Sequence, residues 1–72
     1  MQPPSTPSSN PQGWTKEEIT AWRHRIGMTQ AAAAEVLGVH LHAYKKWEYG
    51  TRRVSVPMRR LAESIERDRL NK

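Results

Sequence analysis

Gly27, Gly38 and Gly50 punctuate the middle of the chain at intervals of 11 and 12 residues, and each stretch they close is written in helical rather than strand period. Glycine is poor inside a helix and well suited to its C-terminal stop, so this spacing predicts short helices joined by tight turns. In the first stretch, Thr15-Lys-Glu-Glu18 has the form of a capping box, with Trp14 and Ile19 beside it as a hydrophobic staple. Ile19, Trp22 and Ile26 share one face and give a first helix over about 15–26. Thr29 offers the cap of a second helix running from Gln30 to Leu37. Its consecutive alanines remove bulk, so Ala33, Ala34 and Leu37 are expected to pack against the first and third helices. In the third helix Tyr44 and Trp47 point inward, while Leu41, His42, Lys45, Lys46 and Tyr49 point outward. A basic loop from Thr51 to Val54 follows, and Ser55 with Pro57 marks the start of a fourth helix. The apolar face expected there is Met58, Leu61, Ala62 and Ile65, with Arg59–Glu63 and Glu63–Arg67 pairs on the exposed side. With no repeat and no strand pattern, the expected fold is an all-α, compact four-helix domain over 14–72. A flexible lead over 1–13, rich in Pro, Ser and Thr and without a charged side chain, precedes it.

Seventy-two residues support one small domain and one small core, which excludes the large enzyme architectures. The absence of cysteine removes disulfide scaffolds, cysteine zinc sites and thiol chemistry, and fits a reducing compartment. No apolar run approaches the roughly 20 residues that span a bilayer, and the N-terminus lacks the pattern of a signal peptide, so a cytoplasmic protein without membrane association is expected. The net charge of +5 is unevenly placed. Lys16, Arg23 and Arg25 cancel Glu17, Glu18 and Glu35, and Arg67, Arg69 and Lys72 cancel Glu63, Glu66 and Asp68. The whole excess lies over 40–60, where Lys45, Lys46, Arg52, Arg53, Arg59 and Arg60 face Glu48 alone. One contiguous basic segment is the electrostatic footprint of a polyanion binder.

Two short helices joined across Gly38 and Val39 form a helix-turn-helix, which can place the outer face of its second helix in a groove about 12 Å wide. The residues that build it carry a resemblance. Gly27-Met-Thr-Gln-Ala-Ala-Ala-Ala-Glu-Val-Leu-Gly-Val39, with Tyr44, Trp47-Glu48-Tyr49-Gly50 and the basic loop, resembles the Cro/CI-type repressors, also called the xenobiotic-response-element family. The likeness extends over roughly 15–65. It implies a lambda-repressor-like DNA-binding domain and a sequence-specific regulator, most naturally a repressor of its own operon binding an inverted repeat of double-stranded DNA as a homodimer. Phage repressors, antitoxins and anti-CRISPR-associated regulators all share this pattern. A protein-interaction module such as an antitoxin, using the same scaffold for docking, stands as the alternative.

Carried over position by position, the resemblance implies base contacts from Gln30, Leu41, His42, Lys45 and Lys46. It implies phosphate contacts from Thr29 at a helix N-terminus and from His40, Tyr49, Thr51, Arg52 and Arg53. Glu48, acidic within the basic stretch, is expected to pair with a basic group or backbone rather than with a base. His40 stands where the family has a capping Ser or Thr and is a poorer cap, so the first turn of the recognition helix is expected to be its weakest part. The family's fifth helix has no counterpart before Lys72, which leaves Ile65 and Leu70 as the expected dimer surface.

Other chemistries fit these residues less well. Trp14, Trp22 and Trp47 fall at helical spacing among apolar residues, which marks them as core rather than as base-stacking platforms. His24 reads as a solvated side chain, and His40 and His42 stand two apart, off the spacing of two ligands on one helical face. No metal and no cofactor is expected. Without a paired acid, base or nucleophile, and without a phosphate-cradling glycine loop, no enzyme activity and no small-molecule substrate is expected.

Overall fold

The computed structural model describes residues 13–70, so the lead expected over 1–13 lies outside the described residues except for Gly13. Four helices follow in order: α1 Lys16–Arg25, α2 Gln30–Leu37, α3 Leu41–Tyr49 and α4 Val56–Leu70. The all-α reading holds. The expected starts and stops sit where local chemistry placed them. Thr15 caps α1 through a complete capping box, its hydroxyl accepting from the Glu18 N–H while Glu18 accepts from the Thr15 N–H at 2.7 Å. Thr29 caps α2 by accepting from the Ala32 N–H, and Ser55 accepts from the Met58 N–H at the start of α4. Gly38 ends α2 in the left-handed region at φ 74°, where a side chain would be strained, and this sharp stop lets three residues connect α2 to α3.

The core gathers all three tryptophans with Ile19, Ala33, Ala34, Leu37, Tyr44, Val54 and Ala62. Trp22 and Tyr44 are fully buried, and the Trp47 ring meets Tyr44 edge-on with centroids 5.7 Å apart. Aromatic bulk at the centre is matched by alanine at the contacts. The main helix partners are α2 with α3, α1 with α3 and α2 with α4. The alanine-rich helix expected against the first and third helices therefore lies chiefly against α3 and α4. Trp22 ties α1 to α4 by donating its indole N–H to the Ala62 carbonyl at 2.8 Å.

Two further corrections concern α4. Leu61, expected on the buried face, is 41% exposed, and the face turned inward is Met58, Ala62 and Ile65. Positions 58, 62 and 65 stand at i, i+4 and i+7 and form a narrow seam along α4, with its own small residue Ala62 at the buried centre. The Arg59–Glu63 pair, expected on the solvent side, is 3.9 Å apart with the Arg59 side chain only 12% exposed. A further pair that the sequence did not suggest, Arg25–Glu66 at 2.6 Å, joins the end of α1 to α4. Its hydrogen bonds from Arg25 hold the Glu66 carboxyl below the usual carboxylate range against the opposing effect of burial.

The sequence shows no strand pattern, and the structure adds a two-residue clasp. Trp14 and Val54 exchange both backbone hydrogen bonds in an isolated antiparallel bridge, at 3.1 and 3.2 Å. Gly13 makes the close approach possible: a Cβ there would fall 1.7 Å from the Val54 carbonyl oxygen. The clasp brings the start of α1 beside the loop between α3 and α4.

Trp22→Phe should destabilise the domain by about 2 to 3 kcal/mol, because it removes a buried donor, leaves the Ala62 carbonyl short of a partner and creates a small void. Urea unfolding checks this. The midpoint falls while the slope stays unchanged.

Candidate nucleic-acid interface

Glu48 is the only acidic residue of the basic stretch, and the fold turns it away from solvent. From α3 its carboxylate reaches into the angle between α1 and α2, with its side chain 8% exposed. Oε2 accepts from Arg23 Nε at 2.7 Å and from the Tyr44 hydroxyl at 2.6 Å. Oε1 accepts from Arg23 Nη2 at 3.2 Å and from Gln30 Nε2 at 2.9 Å. Every lone-pair direction of the carboxylate is thereby filled. Arg23 also donates from Nη1 to the Met28 carbonyl at 3.1 Å, so the same network fixes the link between α1 and α2.

Burial pushes the Glu48 carboxyl up, but the hydrogen bonds from Arg23, Tyr44 and Gln30 outweigh it and hold the group below its ordinary value. Burial and the bond to this anion push the Tyr44 phenol well up, keeping it a donor. The expectation that Glu48 pairs with a basic group or backbone is met by Arg23. The parts played by Gln30 and Tyr44 were not read from the sequence, although Tyr44 and Glu48 stand at i,i+4, the spacing that brings side chains together on a helix.

With its acidic residue drawn inward, α3 carries cationic and polar groups outward. His42 and Lys46 are exposed, Leu41 is 38% exposed, Tyr49 is 67% exposed and Lys45 is half-buried, partly departing from its expected outward position. His42, Lys45, Lys46, Tyr49 and Thr51 line one shallow depression along this face. Arg52 and Arg53 extend it as exposed side chains of the following loop. The ion pairs of the described residues are Arg23–Glu48, Arg25–Glu66 and Arg59–Glu63, so Lys45, Lys46, Arg52 and Arg53 belong to none of them. A surface of this kind can neutralise a polyanion without first breaking internal pairs.

The remaining expected contact residues differ in what they have left to offer. Thr29 uses its hydroxyl oxygen as the α2 cap, which leaves the hydroxyl proton free to donate. Gln30 spends an amide N–H on Glu48, which orients its carbonyl oxygen and second N–H. His40 makes no side-chain cap bond at the start of α3, in line with its weakness as a cap, and it is exposed. Thr51 is exposed and already engaged within the chain. Its backbone N–H and its hydroxyl both donate to the Lys46 carbonyl, at 3.1 and 3.2 Å, because the end of α3 demands partners for its last carbonyls. Of the two residues expected at a dimer surface, Leu70 is 67% exposed, whereas Ile65 is half-buried against the domain's own core.

No group of three or more metal-ligating side chains occurs among the described residues, and no described helix is long and apolar enough to cross a membrane. Comparison with family models, with curated proteins and with solved structures finds no match.

Glu48→Gln should cost about 3 kcal/mol, the lower end of the range for breaking a buried pair, since Arg23 keeps some contact with water. The lowered carboxyls of Glu48 and Glu66 add stability above the ordinary carboxylate range, and that stability is lost as pH falls through their lower folded-state values. Denaturation midpoints measured from neutral to acid pH should therefore fall on acidification. The decline should be shallower in Glu48→Gln.

Proposed function

We propose that this protein binds double-stranded DNA sequence-specifically and acts as a cytoplasmic transcriptional regulator, a repressor of its own operon working as a homodimer on an inverted repeat. The observation that carries the reading is the two-sided chemistry of α3. Its inner residues Tyr44 and Trp47 are buried and its Glu48 is bound by Arg23, while His42, Lys45 and Lys46 with the Arg52–Arg53 loop are left to face a partner. A helix about 10 to 12 Å across with such a face suits the major groove of B-form DNA, and too narrow an A-form groove disfavours RNA.

In this reading Lys46 and Lys45 donate to guanine O6 and N7, His42 contacts a base edge, and Leu41 meets a thymine methyl. Gln30, oriented by Glu48, adds a contact from α2. Thr29, His40, Tyr49, Arg52 and Arg53 hold phosphates on either side. Two copies double the small number of contacts that one unit makes, with recognition helices about 34 Å apart on successive major grooves. The exposed Leu70 at the end of α4 is the first candidate for the contact between copies, with Val36 and Leu61 also exposed.

Selection from a pool of random duplexes, followed by anisotropy titration of the enriched sequence, tests the proposal. The expected outcome is a defined motif with two-fold symmetry, bound far more tightly than random duplex. Tight binding to an acidic protein with no measurable duplex affinity would instead identify an interaction module. Lys46→Ala or His42→Ala should cost about 1 to 3 kcal/mol on the selected sequence and relax preference at particular base pairs. Arg53→Ala should weaken binding to every duplex alike and reduce the salt slope by about one.

A further inference from the structure

The clasp between Trp14 and Val54 has a consequence at the surface: it sets Lys16, the first residue of α1, beside the loop that follows α3. The Lys16 stem lies across Gly50, with its Cδ 2.9 Å from where a Cβ at position 50 would stand. Glycine at 50 thus serves two ends. It ends α3 at φ 90°, and its bare face leaves room for the lysine to pass. A groove opens at this crossing, lined by Thr15, Lys16, Glu17, Tyr49, Arg52 and Arg53 with Gly50 between them.

Three cations from two segments more than 30 residues apart in sequence converge on this groove, and none belongs to an ion pair of the described residues. Three cations against one carboxylate give the groove a net positive lining, which suits an anion. Tyr49, 67% exposed at the edge, adds a hydroxyl donor of the right kind for a phosphate oxygen. Glu17 is the single opposing group in the lining, and it works against an anion there.

We propose that the groove where Lys16 crosses Gly50 between Arg52, Arg53 and Tyr49 is a phosphodiester-binding site. It rests on the DNA-binding reading above and extends it: the start of α1 joins the loop after α3 in gripping the backbone of the same duplex, beyond the edge of the helix-turn-helix. Lys16 acts there through its ammonium group, and Gly50 acts by letting its stem through.

The test compares Lys16→Gln with Arg67→Gln, which removes the same charge from the exposed last turns of α4. Duplex affinity is measured by anisotropy over a range of salt. Lys16→Gln should weaken binding to all duplexes and lower the salt slope by about one, with Arg67→Gln leaving the slope as it was. Glu17→Gln should strengthen binding. A Lys16→Gln protein that keeps the unaltered protein's slope, or that changes it no more than Arg67→Gln does, overturns the site while leaving the DNA-binding reading intact. If the unaltered protein binds no duplex, that reading fails, and titration with inorganic phosphate decides the groove separately. A shift of the Gly50 amide resonance that disappears in Lys16→Gln supports an anion site. No shift overturns it.

Discussion

The Glu48 carboxylate is the point on which the arrangement of the first three helices depends. A carboxylate that is 8% exposed is tolerable only if its charge and its acceptor sites are met, and here Arg23, Gln30 and Tyr44 meet them from α1, α2 and α3. Because the donors come from different helices, satisfying one side chain also sets the positions of three. Arg23 extends the constraint to the Met28 carbonyl, in the turn that leads into α2. The network works as a positioning device as much as a source of stability, since a buried pair of this kind offsets much of its attraction with lost hydration.

That constraint also sorts the charge of the molecule. Drawing the acidic residue of the 40–60 stretch inward leaves its outer surface cationic, and the lysines of α3 then act together with Arg52 and Arg53 instead of being partly cancelled. The proposed DNA-binding face is therefore a product of the core network. Gln30 shows the link at the level of one residue: the amide held by Glu48 is also the group that the proposed function directs toward DNA.

The aromatic core and the Trp14–Val54 clasp complete the domain by closing it around α4. Trp22 reaches Ala62 with its indole N–H, Arg25 reaches Glu66, and Val54 is fully buried beneath the bridge to Trp14. These contacts hold both ends of a small domain built on one aromatic core. They also bring Lys16 to the loop after α3, a proximity that a helix-turn-helix alone does not require.

By itself the sequence determined the helices, their caps and stops, the inner face of α3 and the location of the basic charge. Each of these is a local property: Thr15 with Glu18, Thr29 with Ala32 and Gly38 after Leu37 act within one turn of chain. That Glu48 pairs with a basic group or backbone was also legible, because an anion in a basic stretch has cations close at hand. Tertiary structure alone decided that Arg23 is its partner, that Gln30 joins it, that Leu61 faces out, and that Lys16 crosses Gly50. Arg23 and Glu48 are 25 residues apart and Arg25 and Glu66 are 41 apart, distances at which helical period carries no information about who meets whom. Those pairings follow from how four short helices share one small core, where the packing of large aromatic rings against alanines leaves little freedom in their arrangement.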